Sequence, residues 1–250
     1  VRVHQHLLSR GDLSQADLDR AQHALALDFL KAGLLDRAED SLSKLEGTAF
    51  AEQAHLALLS IYERSRDWAK ATDIAHKLNA SGNGSFQGRL AHYLCEQAES
   101  NETAQDHATK IRLLQQAIDT APHAARAPLA MAKLLSESGE LQAAYDTLKR
   151  LAHSAPSAVP LLAPRLAVLA KELHCIDDAL EFLEHLYQHT ASLDVLQAIV
   201  SLRTARGETD TSQWFAKHLE REASLVAATQ WIANEKFEHQ QFHVLRRNIP

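Results

Sequence analysis

Apolar residues in this chain recur three and four positions apart almost from end to end, which is the period of a helix with one buried face. Between 23 and 45, Leu25, Ala26 and Phe29 share one face, Gly33 stands where a helix would stop, and Ala38, Leu42 and Leu45 restart the period. That is a helix, a tight turn and a second helix, with small Ala26 and Ala38 allowing close approach. A lone helix pair cannot bury both its faces, so the pattern asks for copies of itself. Leu58, Leu59, Tyr62, Trp68, Ala71 and Leu78 repeat it, with Asp67 placed to cap the second helix. Leu90, Tyr93, Leu94 and Ala98 followed by Leu113, Leu114 and Ala117 form a third copy, bending at Asn101 to Asp106 and ending before Pro122. Met131, Ala132 and Leu135, then Gly139, Ala144, Leu148 and Leu151, form a fourth, closed by Pro156.

A fifth pair carries Leu166, Ala167, Ala170, Ala179, Leu183 and Leu186, and Pro164 near its start predicts a late beginning or a kink. A sixth, turning at Gly207, and a last helix or broken pair with Trp231, Phe237 and Phe242 complete the chain. The predicted repeats are 1–9 (partial), 14–45, 51–78, 88–121, 124–155, 158–189, 192–220 and 224–250 (terminal), within one domain over 1–250. The segment 79–88, rich in Gly, Asn and Ser, is expected as a surface loop. Steps of 33, 34 and 35 residues, with one of 39 across the 79–88 segment, match the tetratricopeptide template. So do Leu and Ala near the seventh and eighth positions, Ala at the twentieth and Pro at the thirty-second. The expected fold is all-α: a right-handed superhelical solenoid of about six helix pairs, whose first helices line a long concave face.

Composition narrows the function. The charge is −6, with 26 Lys and Arg against 32 Asp and Glu and no basic stripe, which argues against nucleic acid. Two cysteines cannot build a disulfide framework or a four-Cys metal site, which fits a reducing compartment. No apolar run is long enough to span a membrane and no signal peptide opens the chain, so a piece neither membrane-spanning nor exported on its own is expected. A first residue other than Met, within what reads as the middle of a helix, suggests a fragment of a longer protein. A helix at 1–9 cut from its partner would pair with a second copy, giving a homodimer, or fray.

Fifteen histidines raise the question of metal. His185 and His189, and His239 and His243, are spaced to share a helical face, but two ligands are not a site and neither pair follows H-E-x-x-H order. Solvated surface histidines are the simpler reading. Cys175 beside His174 has the types of a thiol nucleophile and its base, though sequence neighbours point their side chains apart, and Cys95 lies in an Ala- and Leu-rich helix as a packed thiol. Glycine-rich phosphate loops and nucleophile elbows are absent. Trp68 and Trp214 are expected to pack between repeats.

Binding is therefore assigned to the concave face: His23, Leu27 and Lys31, then Leu56, Ser60 and Arg64, then His92 and Glu99. The Lys, Asn and Arg set that grips acidic tails in co-chaperones is not present at the corresponding positions, which continue through Cys95 and Thr103. The mixture of apolar and charged groups suits a folded partner or an amphipathic helix.

The segments V-R-V-H-Q at 1–5, A-G-L-L-D-R-A-E-D at 32–40, S-I-Y-E-R-S-R-D-W-A-K-A-T-D-I-A at 60–75 and L-A-H-Y-L-C-E at 90–96 resemble the lipopolysaccharide assembly protein B family of Gram-negative bacteria. The likeness is specific to about Pro156 and mostly periodic beyond. It implies a non-enzymatic adaptor at the cytoplasmic face of the inner membrane, where it limits lipopolysaccharide synthesis. Its partners would be the lipid A deacetylase, the membrane-bound AAA+ protease that degrades it, and an antagonising inner-membrane sensor. The family's membrane anchor and its rubredoxin-like metal module with two C-x-x-C motifs do not occur in this sequence, so no cofactor is expected in it. A generic tetratricopeptide adaptor for another complex is the alternative, and a metal or thiol enzyme a third.

Overall fold

The computed structural model describes residues 1–80, 82, 86–100, 106–190 and 192–220. Among these, all regular structure is helical: α1 (Arg2–Leu8), α2 (Gln15–Lys31), α3 (Leu35–Ser43), α4 (Ala51–Ser65), α5 (Trp68–Ala80), α6 (Gln87–Glu99), α7 (His107–Thr120), α8 (Arg126–Glu137), α9 (Leu141–Ser154), a 3-10 turn (Pro156–Ala158), α10 (Val159–Glu172), α11 (Ile176–His189) and α12 (Leu193–Arg206). Residues 211–220 continue as helix. The all-α expectation holds among the described residues. The expected bend at 101–106 lies outside the described residues except for Asp106, which caps α7 by accepting from the Ala108 amide, and the terminal repeat at 224–250 lies wholly outside them.

Five of the turns inside pairs are built the same way. The amides of Leu34, Asp67, Glu140, Cys175 and Glu208 bond back across the turn to the carbonyls of Phe29, Tyr62, Leu135, Ala170 and Arg203 at 2.8–3.1 Å. That six-to-one bond requires a left-handed residue between them. Gly33, Gly139 and Gly207 supply it with φ of 71°, 85° and 95°, while Arg66 and His174 adopt φ of 58° and 54° with full side chains. At two of the links between pairs the chain is instead extended: Ala121 and Ala155 each have φ −138° and precede Pro122 and Pro156, whose rings disfavour the helical conformation one residue earlier. Ser14 and Ser192 accept from the Asp17 and Val195 amides and cap their helices, and Asp67 accepts from Lys70, the cap expected there.

The chain divides into two compact units, 1–131 and 132–250. In the first, α2 packs on α3, α4 on α5 and α6 on α7, while α3 meets α4 and α5 meets α6. Ala26, Ala38, Ala71 and Ala117 are fully buried at these contacts, and Phe29, Leu42, Leu59 and Leu78 fill the spaces they leave. Helix α1 packs on α2, where His4 Nδ1 lies 2.8 Å from Asp28, yet it buries no residue of its own. In the second unit α10 is the central helix, touching α9, α11 and α12, with Val159, Leu162, Ala163, Leu166 and Ala170 sealed from solvent.

Pro164 sits inside α10, which starts at Val159 and runs through it. The expected late start is not found. Pro160 lies at the helix's second residue, where its missing N–H has no intrahelical partner to lose, and Pro164 removes only the bond that would return to the Pro160 carbonyl. Burial of four Leu and Ala side chains around it on α10 outweighs one hydrogen bond.

Tyrosines tie neighbouring pairs together. Tyr62 donates to Glu39 at 2.9 Å, and Lys70 bonds the same carboxylate at 2.8 Å while lying 5.2 Å over the Tyr62 ring. Tyr93 and Arg89 both donate to Glu63, and Tyr145 and Lys149 both donate to Asp178. Trp68 stacks on Tyr93 with centroids 6.1 Å apart, so it packs between repeats as predicted.

Candidate functional site

In the first unit the assigned residues stand on α2, α4 and α6, the first helices of three pairs. Leu27 and Leu56 are 38% and 43% exposed, far outside the range of a packed leucine, and Lys31, Ser60 and Arg64 are exposed beside them on the same helices. Lys31 and Arg64 make no ion pair among the described residues. The register that aligns Ala38 with Ala71 aligns His23 with Leu56 and Lys31 with Arg64, so on each helix an exposed leucine is followed by a cation, one turn on in α2 (Leu27, Lys31) and two turns on in α4 (Leu56, Arg64). His23 is half-buried and stacks on Phe50 at 4.9 Å, which makes it as much a packing residue as a surface one.

His92 and Glu99 are differently placed. Arg126 on α8 donates to His92 Nδ1 at 2.5 Å, to Glu96 at 2.7 Å and to Glu99 at 3.1 Å. A guanidinium only donates, so His92 accepts through Nδ1. His92 also sets its ring edge against Trp68 at 6.0 Å. These two assigned residues are therefore engaged in holding α6 to α8, unlike Lys31 and Arg64. Cys95 of α6 is buried, and burial pushes its thiol up to about 11. Thr103 lies outside the described residues.

The second unit holds a groove of about 510 Å³ that sequence reasoning missed. Its walls are α8 (Ala132, Lys133, Ser136, Glu137) and α10 (Pro164, Arg165, Val168, Leu169, Glu172), and Leu141 and Leu148 of α9 form its floor. Val168 is 52% exposed, and Leu161, two turns earlier on α10, is 65% exposed. The signal in the sequence was these two aliphatic residues seven apart on the otherwise polar side of a helix, a spacing that repeats every two turns.

A second groove, on the α3 and α5 side of the first unit, is lined by Leu58, Tyr62, Ile74, Glu46, Lys70 and Lys77 among others. Its cations are already matched, Lys70 to Glu39 at 2.8 Å and Lys77 to Glu46 at 3.1 Å.

Chemistry is poorly provided for at the cysteine. His174 is exposed, and burial together with the Asp178 carboxylate pushes the Cys175 thiol up, away from the thiolate a nucleophile needs. His185 and His189 are exposed with rings 5.4 Å apart. Among the described residues no three His, Cys, Asp or Glu side chains are grouped to hold a metal ion, and His239 and His243 lie outside them. No described helix is long and apolar enough to cross a membrane.

Comparison with known proteins adds the following. The tetratricopeptide repeat family matches residues 103–171. Over 227 residues the chain is 26% identical to lipopolysaccharide assembly protein B of Escherichia coli (strain K12), a match covering 90% of this chain and 58% of that protein. Over 179 residues it is 31% identical to the protein of the same name from Haemophilus influenzae, covering 71% of this chain and 45% of that protein. The similarity thus extends beyond Pro156, to which the specific likeness was read from the sequence, and the chain spans 58% of the length of its E. coli relative. Among solved structures, the MamA protein matches with 17% identity and a TM-score of 0.45 over 72% of this chain and 96% of that one. PilF of Pseudomonas aeruginosa matches with 18% identity and a TM-score of 0.41, over 88% and 98%.

Proposed function

We propose, from the premise that this chain is a tetratricopeptide-repeat relative of lipopolysaccharide assembly protein B, that it is the partner-binding part of an adaptor in lipopolysaccharide assembly. The observation that carries this is similarity along 90% of the chain to a protein of that name. The surfaces support binding rather than catalysis. Leu27 and Leu56 are exposed beside free Lys31 and Arg64, and an apolar groove opens in the second unit, whereas the thiol best placed for chemistry is held protonated.

In this reading the chain works at the cytoplasmic face of the inner membrane. It presents the deacetylase committed to lipid A to a membrane-bound AAA+ protease, and a membrane sensor opposes it. The test is to deplete the protein and follow the deacetylase by immunoblot after translation is stopped. Slower loss, restored by the full-length protein but not by one carrying Leu27→Asp and Leu56→Asp, is expected. Unchanged turnover on depletion overturns the proteolytic role. Recovery of an unrelated assembly from envelope extracts, with neither deacetylase nor protease present, favours a generic adaptor instead.

A further inference from the structure

The helix at 211–220, second of the sixth pair, is held differently from the second helices before it. Helices α3, α5, α7, α9 and α11 each bury three or more residues, whereas none of 211–220 is buried. Its contacts centre on one indole. The Arg203 guanidinium of α12 lies 4.4 Å over the Trp214 ring, and the His218 imidazole stacks on the same ring with centroids 3.9 Å apart. His218 also stands 6.2 Å from the Tyr187 ring of α11, and Thr204 reaches Thr211 only at 3.5 Å. Arg203 itself is fixed, donating to Glu184 of α11 at 2.5 Å and to Glu208 at 3.0 Å. The indole therefore closes on a guanidinium that α11 and α12 already hold.

A backbone carbonyl only accepts, so the 2.8 Å contact of His218 Nδ1 with the Trp214 carbonyl makes Nδ1 the protonated nitrogen of the neutral ring. A second proton adds at Nε2 and leaves that bond intact. It places a full charge against the indole face, a cation–π contact worth about two- to fivefold in an equilibrium. The charged groups around it are of both signs: Arg203 and Arg206 on α12 and Lys217 on its own helix, against Glu184 on α11, Glu208 in the turn and Glu220 on its own helix. Each arginine already bonds Glu208 and one carboxylate of α11, Glu184 or Asp177. Their repulsion is thereby offset, and attraction to the indole decides the sign.

We infer that the helix at 211–220 is a pH-sensitive latch on the sixth pair: protonation of His218 tightens its docking on α11 and α12 through Trp214, and loss of that proton loosens it. The device goes beyond the adaptor reading and holds whatever partner the chain serves.

The test is hydrogen exchange of the whole chain, read by mass spectrometry as protection factors corrected for the intrinsic pH dependence of exchange. Peptides within 211–220 should be about two- to fivefold better protected at about pH 5.5 than at about pH 8, the span in which an ordinary histidine changes charge. His218→Gln, whose amide still donates to the Trp214 carbonyl, should match the parent at the higher pH and lose the gain at the lower. His185→Gln, an exposed change on α11, should keep the gain. Trp214→Leu retains an apolar side chain without a π face and should lose it. Arg203→Gln should lower protection at both pH values and leave the gain in place.

Equal protection at the two pH values, or a loss in acid, overturns the latch. So does a gain that survives His218→Gln or Trp214→Leu, which would assign it to another group. A gain of the same size in α10 peptides overturns it too, because the whole unit would then stiffen rather than its last described helix.

Discussion

At the scale of single residues, the turns show how one backbone requirement is met by different side chains. Gly139 at φ 85° has nothing within 4 Å of where a Cβ would stand, so Gly139→Ala is strained by its backbone alone and should lower stability by about 1 kcal/mol in urea unfolding. His174, in the equivalent turn at φ 54°, already bears that strain. His174→Gly should therefore leave the midpoint unchanged or raise it, by up to about 1 kcal/mol, since relief in the folded chain is partly offset by extra freedom in the unfolded one. A fall of the same size as in Gly139→Ala would mean the imidazole makes a contact that compensates. Ala144, fully buried where α9 packs, has no room for more carbon, and Ala144→Leu should cost about 1–3 kcal/mol. The glycine turns were legible in the sequence because glycine marks them. The Arg66 turn was not, because arginine at a left-handed position leaves no signature in hydropathy.

At the scale of elements, the tyrosine ties explain how adjacent pairs are joined by more than apolar area. Burial, reinforced by the Glu39 and Glu63 carboxylates, raises Tyr62 and Tyr93 from 10.0 to about 12. A phenol whose pKa is higher in the folded chain than in the unfolded one stabilises the fold fully below the unfolded value and loses that contribution as pH climbs through the folded one. Stability should therefore decline between about pH 10 and 12, and the double variant Tyr62→Phe, Tyr93→Phe should flatten that decline in thermal melts across this range. The carboxylates run the other way. Glu46, Glu63 and Asp178 are held below their ordinary values, Glu63 by Arg89 and Tyr93 against its own burial and the other two chiefly by bonds to His55 and Lys149. Their contribution is present above the ordinary carboxylate range and disappears as pH falls through and below it. Glu63→Ala, which leaves the buried Tyr93 O–H without its acceptor although its oxygen still accepts from Arg89, should cost about 1–3 kcal/mol at neutral pH.

At the scale of the whole molecule, stability should be graded along the chain, because each pair rests mainly on its neighbours. Helix α1 buries no residue, whereas α10 buries seven and touches three other helices. Hydrogen exchange followed by mass spectrometry should find residues 2–8 exchanging early and α10 late, and the opposite order would show that contacts at α1 are stronger than its burial implies. Function follows the same grading. Residues that hold pairs together, such as Tyr62, Tyr93 and Arg126, are already satisfied, and residues available to partners are those the packing leaves unmatched.

The repeat period, the helix-only fold, the turn glycines, the caps and the family resemblance were all determined by the sequence itself, because each is written in local spacing or in short runs of residues. Spacing also picked out Leu27 and Leu56 as surface leucines. Only the tertiary structure decided which charges are spent and which remain free. Lys31 and Glu99 are both charged residues assigned to the same face, yet Glu99 is taken by an arginine 27 residues away while Lys31 is left open. It also decided that Pro164, a helix breaker by its chemistry, stands inside a continuous α10 and lines a groove. The reason in both cases is that pairing and burial are made between helices distant in the chain, and no local pattern records which side chain arrives from the other side.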